Sequence, residues 1–216
     1  MSTSRRRASA TVPRGLARGV LALSLLGLSM SPGVPPALPT AQAADGDGRF
    51  MVKGAGISRC EDFSAAVAER GAAFYSYAGW IEGYLSAMNR YEAGVYDHAS
   101  WHSTDMLMAA IDRACEQQPQ ASFHAMVNQL ANSLRRNAIA EQSPLVPIQN
   151  ERIGMVLYAE TLRRLQAALR QRGFKGVEVS GAFDVSTREA LLEFQKSRGL
   201  EPTGLPDQPT LASLLP

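Results

Sequence analysis

LRRLQAALRQRGF (162–174), SGAFDVSTREALLEFQKSRGL (180–200) and TGLPDQPTLASL (203–214) decide how the C-terminal part of this chain folds. Leu162, Leu165 and Leu169 recur at helical spacing on one face, so a helix is expected across about residues 153–172, stopping at Gly173. A loop with Gly176, Gly181 and Phe183 follows. Ser186 is expected to cap a second helix, with Glu189 completing a capping box and Ala190, Leu191 and Phe194 turned inward. Gly199 ends that helix, and the Pro/Gly-rich turn 201–206 leads to a short last helix carrying Leu211, Leu214 and Leu215. Phe174, Phe183, Phe194 and the leucines read as core. The glycines read as turn formers, and Gln166 and Gln195 as hydrogen-bond partners of loop backbone.

The order of these residues resembles the three-helix peptidoglycan-binding domain family, over about residues 155–215. Its pattern runs LQ, L and G(F/Y), then DG.(F/Y)G..T, then A...FQ...GL, then TG..D..T...L. Leu165-Gln166, Leu169, Gly173-Phe174, Gly181, Phe183, Thr187, Ala190, Phe194-Gln195, Gly199-Leu200, Thr203-Gly204, Asp207, Thr210 and Leu214 fall on it. Ser180 departs where the family usually has Asp, and Asp184 where it usually has Gly. The resemblance implies a non-catalytic module that holds the stem peptide or glycan of the cell wall. The polar residues left for binding are Ser180, Gly181, Asp184, Ser186, Thr187 and Arg188. Free amides at the start of the Thr187 helix, with Arg188 beside them, suit a stem-peptide carboxylate.

Working toward the N-terminus, AEQSPLVPIQN (140–150) breaks the helical pattern, because Pro144 and Pro147 bar a helix and extend the residues before them. Residues 139–151 are therefore expected to be a Pro-containing linker between a bundle at 57–138 and the module at 152–216. No run of alternating β-branched residues calls for a sheet. Four helices are expected in the bundle. The first begins near Ser58 or Cys60 and carries Phe63, Ala66 and Val67, with Gly71 interrupting it. The second spans about 72–90 with Tyr77, Trp80, Ile81, Tyr84, Leu85 and Met88 inward. The third starts behind Ser103 or Thr104 and stops before Pro119, and the fourth follows Ser122 and buries Phe123, Met126, Val127, Leu130 and Leu134. Residues 44–56, rich in Gly and Asp, read as a flexible lead-in. The fold expected is all-α: a small disulfide-stapled helical bundle followed by a three-helix peptidoglycan-binding-like domain. The bundle is also similar, through Trp80-Ile81, Gly83-Tyr84-Leu85-Ser86 and the two cysteines, to small exported disulfide-bonded helical proteins of proteobacteria with no assigned activity, and more faintly to immunity proteins against periplasmic amidase toxins.

The first 43 residues decide the compartment. Five arginines and no acid precede the apolar run GVLALSLLGLSM (19–30), and Ala41-Gln42-Ala43 forms a small-x-small cleavage site. Twelve apolar residues reach only ~18 Å against a hydrocarbon core of ~30 Å, so a cleaved signal peptide is expected rather than an anchor. The hydrophobic and lysine positions that should follow a twin-arginine pair are missing after Arg5-Arg6, which favours the general export route, and no cysteine sits at the cleavage site for lipidation. With five of the 22 basic residues ahead of Ala43 and no acid there, residues 44–216 hold 17 basic against 20 acidic residues. That balance gives no support for a nucleic-acid or anionic-membrane partner. In a periplasmic setting the only two cysteines, Cys60 and Cys115, are expected to pair.

A wall-binding module often accompanies an enzyme. His98 and His102, four apart with Asp97 and Asp105 nearby, have zinc-ligand spacing, but they read more simply as exposed loop histidines. No metal or cofactor is expected. A lytic transglycosylase needs one acidic general acid, for which Glu82 in the apolar context Trp80-Ile81-Glu82-Gly83-Tyr84 is the alternative candidate. The preferred expectation is a non-enzymatic periplasmic protein. Its C-terminal module binds peptidoglycan and its bundle meets a protein partner.

Overall fold

A computed structural model describes residues 44–149 and 154–215. The signal-peptide reading of residues 1–43 lies outside the described residues. Helices α1 (Cys60–Glu69), α2 (Ala72–Tyr91), α3 (Thr104–Gln117) and α4 (Phe123–Leu134) build the first part. Strands β1 (Leu145–Gln149) and β2 (Gly154–Tyr158), then α5 (Ala159–Gln171), α6 (Val185–Arg198) and α7 (Gln208–Leu214), complete the chain.

The bundle assembles around three rings packed edge-to-face and tilted. Phe63 of α1, Tyr77 of α2 and Phe123 of α4 meet at centroid separations of 4.7–5.1 Å, with Ile81, Met108, Ile111 and Val127 buried around them. The first amides of α1 have no partner within the helix. Cys60 N donates instead to Ala121 O (3.0 Å) and Glu61 N to Pro119 O (2.9 Å), which seats the helix on the α3–α4 turn. The Cys60–Cys115 disulfide fastens the same corner, joining the start of α1 to the end of α3. Gly71 interrupts the helix as expected: α1 ends at Arg70 in the left-handed conformation (φ 53°), and Gly71 is the extended N-cap of α2. Part of the expected lead-in is also engaged. Trp80 Nε1 donates to Lys53 O (2.8 Å), and a Cβ on Gly56 would fall 2.2 Å from the Trp80 ring, so the indole lies flat on bare backbone.

Two short strands occupy the sequence expected to be linker and helix. β1 and β2 pair antiparallel, with Leu145 opposite Tyr158 and Ile148 opposite Met155, and they contribute the buried Ile148 and Leu157 to the C-terminal core. The expected helix near residue 153 begins instead at Ala159. Pro147 explains why the strand signal was faint: it removes one donor from a five-residue strand, which only the free edge of a two-stranded sheet tolerates. The stretch before β1 is fixed along α5. Ala159 N and Glu160 N donate to Pro144 O (2.8 Å) and Ser143 Oγ (2.9 Å), while the Arg164 guanidinium holds the Asn137 and Ala138 carbonyls at 2.6 and 3.1 Å.

The C-terminal core is formed by Leu162, Leu165 and Leu169 of α5, Leu191 and Phe194 of α6, and Leu205, Leu211 and Leu214. Trp101, from the α2–α3 connection, is buried in this core rather than in the bundle. Gln208 of α7 fixes that connection by accepting from Ser103 N (2.9 Å) and donating to Trp101 O.

Candidate functional site

The loops of the C-terminal module are held by two copies of one device. Gln166, fully buried on α5, receives Gly181 N on its Oε1 (2.9 Å) and donates Nε2 to Ala182 O (2.8 Å) and Thr187 Oγ1 (3.1 Å). Gln195, fully buried on α6, receives Gly204 N (2.9 Å) and donates to Leu205 O (2.9 Å) and Thr210 Oγ1 (2.9 Å). A carboxylate completes each copy: Asp184 accepts from Thr187 N at 2.7 Å and caps α6, and Asp207 accepts from Thr210 N at 3.0 Å and caps α7. The hydroxyls of Ser180 and Thr203 accept from Ala182 N and Leu205 N. Every polar atom of both amides faces a backbone or hydroxyl partner, as a buried amide requires.

This arrangement places the six residues singled out in the sequence. Thr187 is fully buried with its hydroxyl on Gln166. Gly181 is buried at φ +80°, and a Cβ there would fall 2.8 Å from Ala159 O, so glycine is required. Asp184, not Ser186, is the N-cap, and the Ser186 hydroxyl donates to it (2.9 Å). The reason is reach: Asp184 stands one residue before the helix, where its carboxylate meets the third amide. Glu189 is exposed rather than closing a capping box. The amides expected to meet an external carboxylate are thus already met, since Thr187 N points at Asp184. Hydrogen bonds from Thr187, and then from Ser186, outweigh burial and hold the Asp184 carboxyl below its ordinary value. Arg188 lies over the Phe183 ring (5.0 Å) and donates to Gln149 O (3.0 Å). Ser180 is exposed.

The histidines correct a second expectation. His98 is buried, not exposed. Its ring nitrogens face Asn89 Oδ1 (2.7 Å) and Glu92 Oε2 (2.8 Å), and Glu92 also pairs with Arg135. His102 stacks on Trp101 at 3.7 Å, and its imidazole is lowered to about 4 by burial, against the opposing pull of Asp97. Among the described residues no three His, Cys, Asp or Glu side chains gather as a metal site. Glu82 lies exposed on α2 and accepts a hydrogen bond from the Thr104 hydroxyl.

The repeated spacing was present in the sequence as Ser-Gly-x-x-Asp-x-x-Thr (180–187) and Thr-Gly-x-x-Asp-x-x-Thr (203–210). It would have identified Asp184 as a cap by analogy with Asp207. Comparison with curated proteins and with solved structures found no match to the chain. The model of the family described as "Putative peptidoglycan binding domain" matches residues 159–214, which run from the first residue of α5 to the last of α7. Residues 159–214 are therefore similar to the peptidoglycan-binding domain family, and two glutamine-held loops build them.

Proposed function

We propose that the protein is a non-catalytic periplasmic protein that binds peptidoglycan through its C-terminal module and positions the N-terminal bundle at the cell wall. The observation that carries this reading is the family match over residues 159–214, in which both glutamine-held loops are fully satisfied. The Cys60–Cys115 disulfide supports an oxidising compartment, in keeping with the expected export signal. No helix among the described residues is long and apolar enough to cross a membrane. The bundle offers a protein partner exposed Tyr75 and Tyr91, residue types enriched at interfaces.

Glycan cleavage by Glu82 is the weaker reading. A glycosidic general acid works from a desolvated pocket that keeps it protonated, whereas Glu82 stands on an open helix surface. Co-sedimentation of residues 44–216 with purified sacculi, run beside a sacculus zymogram, tests both. The reading expects the protein in the pellet and no clearing zone. A clearing zone that Glu82→Gln abolishes would replace it with an enzyme.

A further inference from the structure

Two cavities meet at Trp101. One, of about 320 Å³, lies against Thr161, Arg164 and Ala167 of α5. The other, of about 250 Å³, lies on the His102 side against Met106, Ala212 and Arg136. Trp101, Asn137 and Leu215 border both, so the two lie side by side as a bipartite groove of the size that small ligands occupy.

Each end of the groove holds a polar atom that the fold leaves unmatched. Thr161 is 1 % exposed, yet its Oγ1 has no hydrogen-bond partner among the described residues. A helical threonine ordinarily returns its hydroxyl to a carbonyl one turn back. His102 Nδ1 is likewise buried and unpartnered among the described residues. Buried polar groups are matched as a rule, and these two atoms, which show almost no accessible surface, gain a partner only where the lining gives way to a ligand.

The charge of the lining narrows the partner. Arg164 and Arg136 line the groove and no Asp or Glu does. Arg164 engages Glu160, Asn137 O and Ala138 O with three of the five N–H groups a guanidinium carries, leaving two. Arg136 is exposed at the rim. Beside the cations the walls mix alanine and leucine with Trp101, Ser100 and Gln171. A glycan needs an open aromatic face to stack on, but Trp101 is only 8 % exposed and His102 covers one side of it. An acyl chain needs an unbroken apolar path, which Thr161, Asn137 and the arginines interrupt.

We propose that this groove binds the stem peptide of peptidoglycan, with its carboxylates toward Arg164 and Arg136 and its small aliphatic side chains against Trp101 and Leu215. The assignment rests on the wall-binding reading above. It moves the contact from the Ser180–Arg188 loop to the seam between α5, α7 and the α2–α3 connection.

The test uses residues 44–216 with the disulfide intact and a synthetic tetrapeptide, L-Ala–γ-D-Glu–meso-diaminopimelate–D-Ala, as probe. A Trp80→Phe background leaves Trp101 as the only indole. The peptide should change Trp101 emission saturably. Ala167→Phe, which fills the first cavity, should weaken both peptide and sacculus binding by roughly tenfold or more. Thr161→Val, which keeps the shape and removes the hydroxyl, should weaken peptide binding by roughly three- to tenfold. Thr161→Val decides the matter if circular dichroism shows Ala167→Phe to be unfolded. Sacculus binding without any peptide response, or retained in full by these variants when folded, overturns the groove and leaves the wall-binding reading standing. Loss of both binding modes in the unaltered protein overturns both. A response to a peptide-free disaccharide or a fatty acid, and none to the tetrapeptide, overturns the ligand class.

Discussion

Gln208, on the last helix, donates its side-chain amide to the backbone oxygen of Trp101, 107 residues earlier. Its Oε1 receives Ser103 N, so one side chain holds both ends of the turn that delivers the indole to the C-terminal core. Trp101 then fills space that α5 and α7 alone would leave open. Trp101→Ala should destabilise the protein by about 3–5 kcal/mol, the usual cost of removing a buried aromatic. Urea unfolding followed by circular dichroism measures it. A loss under about 1 kcal/mol would mean that the indole only decorates the seam.

The two buried glutamines make a paired prediction. Gln166→Leu strands Gly181 N and Ala182 O, and Gln195→Leu strands Gly204 N and Leu205 O. Each should lower stability by about 1–3 kcal/mol for the unsatisfied groups left behind. Gly181→Ala should lower it too, since the position is left-handed and meets Ala159 O. Thermal melts of the three variants against Ser180→Ala, which removes only a solvent-exposed hydrogen bond from Ala182 N, check the ordering. Equal melting temperatures for all four would show that the loops are not held by these amides.

Much of this framework is legible in the sequence, and for physical reasons. Leu162, Leu165 and Leu169 announce a helix because burial follows its period. Cys60 and Cys115, the two cysteines of the sequence, pair as an even number of thiols in an expected export product suggests. The short hairpin is not legible: five residues interrupted by Pro147 carry too little alternation to register as a strand. Nor is the destination of Trp101, because it is fixed by Gln208 and by no local pattern. His98 misleads for the same reason. Its matching groups, Asn89 and Glu92, lie on the preceding turn of chain but become partners only when the loop folds back. At the candidate site the loop-holding role of Gln166 and Gln195 was readable, while the direction of Asp184, inward to its own helix, was not.

Acid sensitivity should follow from His102. Burial lowers its imidazole from 6.5 to about 4, so the folded protein declines a proton that the unfolded chain takes up. The contribution is complete above pH 6.5, falls as pH drops below it, and stops falling near 4. Asp184 acts lower: its carboxyl is held beneath 3.8, so its stabilisation is present above that value and is lost as pH falls through the folded one. Urea midpoints at about pH 7, 5.5 and 4.5 should slope downward, and His102→Phe should flatten the slope. An unaltered slope in the variant would assign the sensitivity to other groups.

The disulfide closes a loop across 55 positions, which in the chain-entropy model stabilises by about 4 kcal/mol. Protein isolated without reductant should show no thiol reactive under denaturing conditions, and reduction should lower its urea midpoint. Stoichiometric labelling of Cys60 and Cys115 in unreduced protein would refute the pairing.

We propose that residues 159–214 carry wall binding. A depletion isotherm of residues 44–216 on purified sacculi measures it, with folding of the unbound fraction followed by circular dichroism. Saturable depletion is expected, with a Kd on the order of micromolar or weaker, as a small groove gives. Folded protein that stays wholly in the supernatant at every sacculus concentration would contradict it.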